Sequence, residues 1–80
     1  MTEPQRSDSE VRDELRDIDE EIAVLRAQAL QLRSSVSGAG PMDLPENAAT
    51  LTFAEEQEAL VEVLEDRRAR LLRRLGEAEG

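Results

Sequence analysis

Apolar residues in the first half of the chain recur at alternating intervals of four and three residues. The series is unbroken and consists of Val11, Leu15, Ile18, Ile22, Leu25, Ala29, Leu32 and Val36. This spacing keeps one stripe of a helix facing a partner helix, as in coiled coils. The pattern therefore predicts a long helix that associates with another helix.

Capping residues predict where two helices begin. Ser7 with Glu10 has the form of a capping box, and Thr52 with Glu55 repeats that form. Gly76 suits the position that follows a helix. We therefore expect a disordered tail at residues 1–6, a first helix at 7–36, a linker at 37–51 that could hold a short helical turn, a second helix at 52–76 and a C-terminal tail at 77–80.

Charge is segregated in the same way in both predicted helices. Acidic residues are concentrated in residues 8–21 and in the first half of the second helix, whereas arginines are concentrated in residues 67–74. Parallel pairing would set acid beside acid, while antiparallel pairing sets each acidic half beside a basic half. The fold class that this pattern predicts is all-α, an antiparallel two-helix hairpin with a coiled-coil-like seam.

Antiparallel pairing also predicts the seam residues of the second helix. Those expected to face Val36, Ala29, Leu25 and Ile18 are, respectively, Phe53, Leu60, Leu64 and Leu71. Gln57 would face Leu32 and set the register, as polar seam residues often do. Phe53, the one aromatic residue, would plug the loop end or serve as a partner hot spot.

The same register makes predictions about the arginines. It places Asp19 beside Arg68 and Glu21 beside Arg70, and it sets Arg67 and Arg74 opposite the apolar residues Ile22 and Leu15, respectively.

Several apolar residues remain outside this seam. They are candidates for a second interface: Val24, Leu30, Val61, Val63, Leu72 and Leu75. Apolar stripes this wide are typical of multi-helix bundles. We therefore expect a homodimer that forms an antiparallel four-helix bundle, or a hairpin that completes its core on a different protein.

Composition excludes several functions. The 80 residues carry 19 acids against 10 basic residues, a net charge of −9, which disfavours binding to nucleic acid and anionic membranes. The chain lacks Cys, His, Lys, Tyr and Trp, so few reactive side chains remain for catalysis. We expect no enzyme activity, catalytic residue, metal or cofactor. All basic residues are Arg, which hints at a GC-rich bacterial source, and we expect a cytoplasmic location.

Two charged clusters are candidate sites. The basic cluster could bind phosphates or an acidic partner, or could simply complement the helix C-terminus, and consists of Arg67, Arg68, Arg70, Arg73 and Arg74. The acidic cluster has the spacing of one helix face, consists of Glu55, Glu58, Glu62 and Glu65, and is expected to be a solvated face that points away from the seam rather than a cation site.

Two family resemblances bear on function. Residues 11–22 resemble the opening of the first helix of all-helical chorismate mutases, with Arg12 at the place of a substrate-binding arginine. Ala29 stands where that family has its next arginine, and its later Lys, Arg-Asp and Gln features have no match here. In outline the chain is also similar to hairpin anti-sigma factors that clamp a cyclic dinucleotide, without their spaced Glu, Ser, Arg, Gln, Asp pattern.

The sequence therefore predicts a small non-catalytic interaction or adaptor protein that self-associates and binds a protein partner. The alternative is an acidic regulator, antitoxin-like or anti-sigma-like, that folds onto and masks a basic partner. A degenerate chorismate-mutase-like protein is a remote third.

Overall fold

Two long helices packed side by side make up the molecule. The computed structural model describes residues 7–38 and 44–79, which form α1 (Asp8–Ser37) and α2 (Leu44–Glu79). The helices run antiparallel and pack along their length as a hairpin. The predicted all-α antiparallel hairpin is confirmed. Residues 1–6, for which a disordered tail was predicted, lie outside the described residues.

The ends of α1 follow from local hydrogen bonds. The Glu10 amide donates to Ser7 Oγ at 3.2 Å, so Ser7 is the N-cap, as predicted. At the other end the Gly38 amide donates to the Ser34 carbonyl at 3.2 Å, which closes the last turn. The helix therefore ends at Ser37, one residue beyond the predicted end.

The second helix begins earlier than the sequence predicts. Leu44 opens it, so residues 44–51 are helical and do not belong to a linker as predicted, while residues 39–43 of that predicted linker lie outside the described residues. Thr52 is not a cap, because its Oγ1 donates to the Ala48 carbonyl at 3.0 Å within the helix. Pro45 fits in the first turn, where a helix needs no amide donor. Gly76 does not end the helix, which continues to Glu79 through the predicted C-terminal tail.

The predicted ladder on α1 faces α2. Five of its eight members are buried and the other three are half-buried. The buried members are Val11, Leu15, Ile18, Ile22 and Ala29, and the half-buried ones are Leu25, Leu32 and Val36. The stripe is continuous along almost the whole helix.

The seam on α2 differs from the predicted one. Phe53 and Leu60 were expected to face α1, but both are more than half exposed, whereas Ala54 and Val61 are buried. The seam on α2 has the same alternating intervals of four and three residues as the ladder on α1. It consists of Thr50, Ala54, Gln57, Val61, Leu64, Arg68, Leu71 and Leu75. Matching the two ladders pairs Val11 with Leu75 and Val36 with Thr50, a shift of three residues from the predicted register.

The physical reason for this shift is the number of arginines that each stripe would place in the seam. A stripe through Phe53 and Leu60 would continue into Arg67 and Arg74, whereas the stripe through Ala54 and Val61 continues into Arg68, Leu71 and Leu75. The second stripe therefore has one arginine at a seam position instead of two, and the aliphatic stem of Arg68 covers the seam while its charge stays in water.

Candidate interaction surface

Heptad positions sort the remaining side chains into two flanks of the seam. With Val11 at d and Leu15 at a, the e positions of both helices lie on one flank and the g positions on the other. In an antiparallel pair, e residues meet e residues and g residues meet g residues. The two flanks carry different chemistry and are described in turn.

Ion pairs between the helices line the e flank, which we call the ion-pair flank and define by Arg26, Arg33, Glu58 and Glu65. Arg33 binds Glu58 through two hydrogen bonds, Nε to Oε2 at 2.9 Å and Nη2 to Oε1 at 2.5 Å. Arg26 pairs with Glu65 one heptad further on. Such exposed pairs fix the register and orientation more than they add stability.

The Arg33 pair perturbs the titration of both partners. Hydrogen bonding to Arg33 lowers the pKa of Glu58, against a smaller opposing effect of desolvation. Hydrogen bonding and the charge of Glu58 raise the pKa of Arg33. Both groups are therefore ionised at neutral pH, and the pair links the two helices there.

The predicted acidic face is partly used by this flank. All four acids are exposed, as expected of a solvated face, but Glu58 and Glu65 lie beside the seam in ion pairs, so the expectation that all four point away from it is wrong. Across residues 7–38 and 44–79, no group of three or more acidic side chains is placed to hold a metal ion.

Polar residues interrupt the seam in three layers, at Thr50, Gln57 and Arg68. Gln57 donates from Nε2 to Gln28 Oε1 at 3.0 Å, and its own Oε1 is buried with no hydrogen-bond partner. Arg68 is at a seam position and reaches out to Asp19, Nε to Oδ1 at 2.6 Å. The predicted Asp19–Arg68 pair is thereby confirmed. An arginine is tolerated at this seam position because the aliphatic stem of its side chain covers the seam while its guanidinium group stays in water.

Three of the five clustered arginines lie on one side of α2, while Arg68 is at a seam position and Arg73 points elsewhere on the helix. Arg67 binds Glu14 at 2.7 Å on the g flank, and Arg70 pairs with Asp66 at 3.5 Å rather than with Glu21 as predicted. Neither Arg67 nor Arg74 lies opposite the predicted apolar residues, because the register is shifted. Arg73 is exposed. A groove of about 350 Å³ is lined by Arg67, Arg70, Leu71 and Arg74.

Exposed apolar side chains mark the g flank, which we call the apolar flank and define by Val24, Phe53, Leu60 and Val63. These four residues are between 52% and 62% exposed although the hairpin core is closed. They occupy g or neighbouring c positions, so they lie on one side of the hairpin. Beside them, toward the loop, is a groove of about 440 Å³ lined by Gln28, Gln31, Leu32, Ser35, Phe53 and Gln57.

The six predicted second-interface residues fall into three groups. Val24 and Val63 are on the apolar flank, and Leu30 and Leu72 are 68% and 43% exposed on the other side. Val61 is buried and Leu75 half-buried in the seam, so their assignment outside it is wrong. Sequence reasoning missed Ala54, which is 0% exposed. Its spacing of seven residues from Val61 was the available signal.

The fold and this surface define a class: an antiparallel two-helix hairpin with four exposed apolar side chains on one flank and two inter-helix ion pairs on the other. Comparison with known protein families, with characterised proteins and with solved structures finds no match for this chain. Neither of the two described helices is long and apolar enough to cross a bilayer.

Proposed function

We propose that this chain is a non-catalytic protein–protein interaction protein, a helical hairpin that self-associates into a four-helix bundle and binds a protein partner. One observation carries the proposal: four large apolar side chains remain exposed on one flank after the hairpin has closed its own core. Contiguous apolar patches on soluble proteins are typically interaction sites.

The shape of the molecule supports this proposal. The hairpin measures 64 × 18 × 17 Å, so the residues that the structure describes all lie close to the surface. A chain of this size buries a small share of its surface when it folds alone. Covering one long side of the hairpin would supply the missing burial.

The partner-binding part of the proposal rests on charge. Acids outnumber arginines by 19 to 10, while several arginines are already held by acids within the chain. The surplus negative charge is therefore displayed outward, on exposed residues such as Glu20, Glu56 and Glu62. A partner with a basic surface would be attracted to it.

The state of the free protein tests the proposal. Sedimentation equilibrium and circular dichroism over a concentration series should find a strongly helical chain whose mass rises to that of a dimer. A helical monomer at all concentrations up to about 100 μM would contradict self-association. A chain that is unfolded alone and gains helix only with a basic partner would instead support the acidic-regulator alternative.

A further inference from the structure

The geometry points to a specific dimer, in which two copies of this chain join through their apolar flanks about a two-fold axis parallel to the hairpin. This inference rests on the self-association proposed above and adds the surface and the symmetry. In this arrangement α1 of each copy covers α2 of the other, and the ion-pair flanks face outward.

The distribution of charge along the apolar flank is the first argument. Toward the open end of the hairpin, α1 presents Asp17 and Glu21, while α2 presents Arg70 and Arg74. The flank is therefore acidic on one helix and basic on the other over the same stretch. A surface with this layout is complementary to itself only if each α1 faces the α2 of its neighbour.

Residue levels along the seam show how well this pairing matches. We call the position of a residue along the long axis of the hairpin its level. Because Leu15 faces Leu71 and Ile18 faces Arg68, Asp17 has the same level as Arg70. By the same rule Val24 stands at the level of Val63. A two-fold axis parallel to the hairpin preserves these levels, so it brings Asp17 to Arg70 of the second copy and Val24 to Val63 of the second copy.

The groove beside Phe53 fits the same symmetry. Phe53 lies near the level of Leu32, where Gln28, Gln31 and Ser35 line the α1 side of the groove. The axis places the Phe53 ring of one copy over this part of α1 in the other. Each copy would thus fill the groove of its neighbour with its only aromatic side chain, an exchange that a self-complementary interface requires.

The competing arrangement has its two-fold axis perpendicular to the hairpin and centred at Leu60. This axis turns the second copy end for end, so the loop end of one copy lies beside the open end of the other. It sets Phe53 over Arg67 of the second copy and sets the acids of α1 against the neutral residues near the loop. Apolar residues would meet only near the axis. The parallel axis matches the flank along its full length.

The available area is sufficient for a stable dimer. The 30 residues of α1 extend about 45 Å at 1.5 Å per residue. With a width of 18 Å, one side of the hairpin covers roughly 800 Å², which is the contribution of one partner to a standard interface.

One pair of variants tests the surface. Leu60→Glu would place two carboxylates near the axis of every dimer and should raise the dimer Kd at least about 100-fold in sedimentation equilibrium. The matched control is Leu30→Glu, a more exposed leucine outside the apolar flank, which should leave the Kd within about threefold. Both variants should keep the helicity of the hairpin, because neither leucine is in the seam.

Spin labels test the symmetry, and the absence of native Cys makes single labels simple to place. Ser9→Cys and Ser34→Cys mark the open end and the loop end at exposed positions. Pulsed dipolar spectroscopy should find separations between copies of roughly 15–30 Å at both sites, the scale of neighbouring and diagonal helices in a bundle. A perpendicular axis would separate the Ser9 labels by about 45 Å or more.

Charge reversal gives an independent test of the facing pairs. Asp17→Arg alone and Arg70→Glu alone should each weaken the dimer about 5-fold or more, and the double variant should recover most of the loss.

The outcomes separate this inference from the proposed function. A wild-type monomer would overturn both. A dimer that survives Leu60→Glu, or that holds its Ser9 labels about 45 Å apart, would overturn the inference while self-association stands.

Discussion

Replacing Gln57 with leucine should stabilise the hairpin. Gln57 is half-buried at a seam position opposite the small residue Ala29, and its Oε1 is buried with no hydrogen-bond partner. Its one hydrogen bond, from Nε2 to Gln28 Oε1, lies at the edge of the seam. Leucine has a similar length, fits the same layer and carries no polar atom.

The expected gain follows from three contributions. Removing an unpaired buried acceptor is worth about 1–3 kcal/mol, and losing the Gln28 hydrogen bond costs about 0.5–1.5 kcal/mol. Half-burial of a leucine side chain adds about 1 kcal/mol. The net increase in the free energy of unfolding is then centred on about 2 kcal/mol, which raises Tm by roughly 8–16 °C for a domain of this length.

The assay is thermal unfolding followed by circular dichroism in the Leu60→Glu background, where Tm should not depend on protein concentration. Gln31→Leu is the matched control, because Gln31 is exposed beside the same groove and its Tm should stay within about 3 °C of the parent. An unchanged or lowered Tm for Gln57→Leu would refute the reasoning, since the buried amide would then contribute rather than cost stability.

Three further predictions concern the core, α2 and the ion-pair flank. Ile22→Ala should cost about 2–5 kcal/mol in the free energy of unfolding by urea, because Ile22 is in the buried cluster. Gly76→Ala should gain up to about 1 kcal/mol, because Gly76 is helical and an added Cβ meets nothing within 4 Å. Glu58→Gln should flatten the acid side of the stability profile. Arg33 lowers the pKa of Glu58, so the native state binds this proton less tightly than the unfolded chain. The stabilisation is thus present above the ordinary carboxylate pKa and is lost as pH falls through the lowered one.

Each of these changes has a control in the same chain. Leu72→Ala, at an exposed leucine, should alter stability by less than about 0.5 kcal/mol. Ala69→Gly should destabilise α2 by up to about 1 kcal/mol, opposite in sign to Gly76→Ala. Glu20→Gln, at an exposed residue of α1, should leave the acid dependence nearly unchanged. Equal acid profiles for Glu58→Gln and the parent chain would show that the Arg33 pair is not linked to folding.

The sequence was sufficient to predict α1 because its signals agree. The apolar ladder, the Ser7 cap and the breakers after Val36 all point to the same element, and the structure has it within one residue. Orientation was also predictable, since the segregated charges favour only the antiparallel arrangement, and the Asp19–Arg68 pair formed as expected. Local and long-range signals were consistent in these cases.

The start of α2 was not predictable from the same kind of signal. Thr52 and Glu55 match a capping box, but residues 44–51 contain no residue that prevents a helix after Pro45. Asn47, Thr50 and Leu51 are half-buried there. Packing against the end of α1 thus extends α2 by two turns. A capping motif gives no information about such packing, so it could not predict the longer helix.

The error in the α2 seam and the proposed dimer have one physical origin. Phe53 and Leu60 are larger and more apolar than Ala54 and Val61, so ranking by hydrophobicity selects the outer stripe. The hairpin instead selects the stripe through the buried Ala54 and Val61, which places one arginine in the seam rather than two. The larger residues are thereby left on the apolar flank, beside Val24 and Val63. These exposed side chains are the observation from which the proposed dimer is argued, because a second surface would bury them.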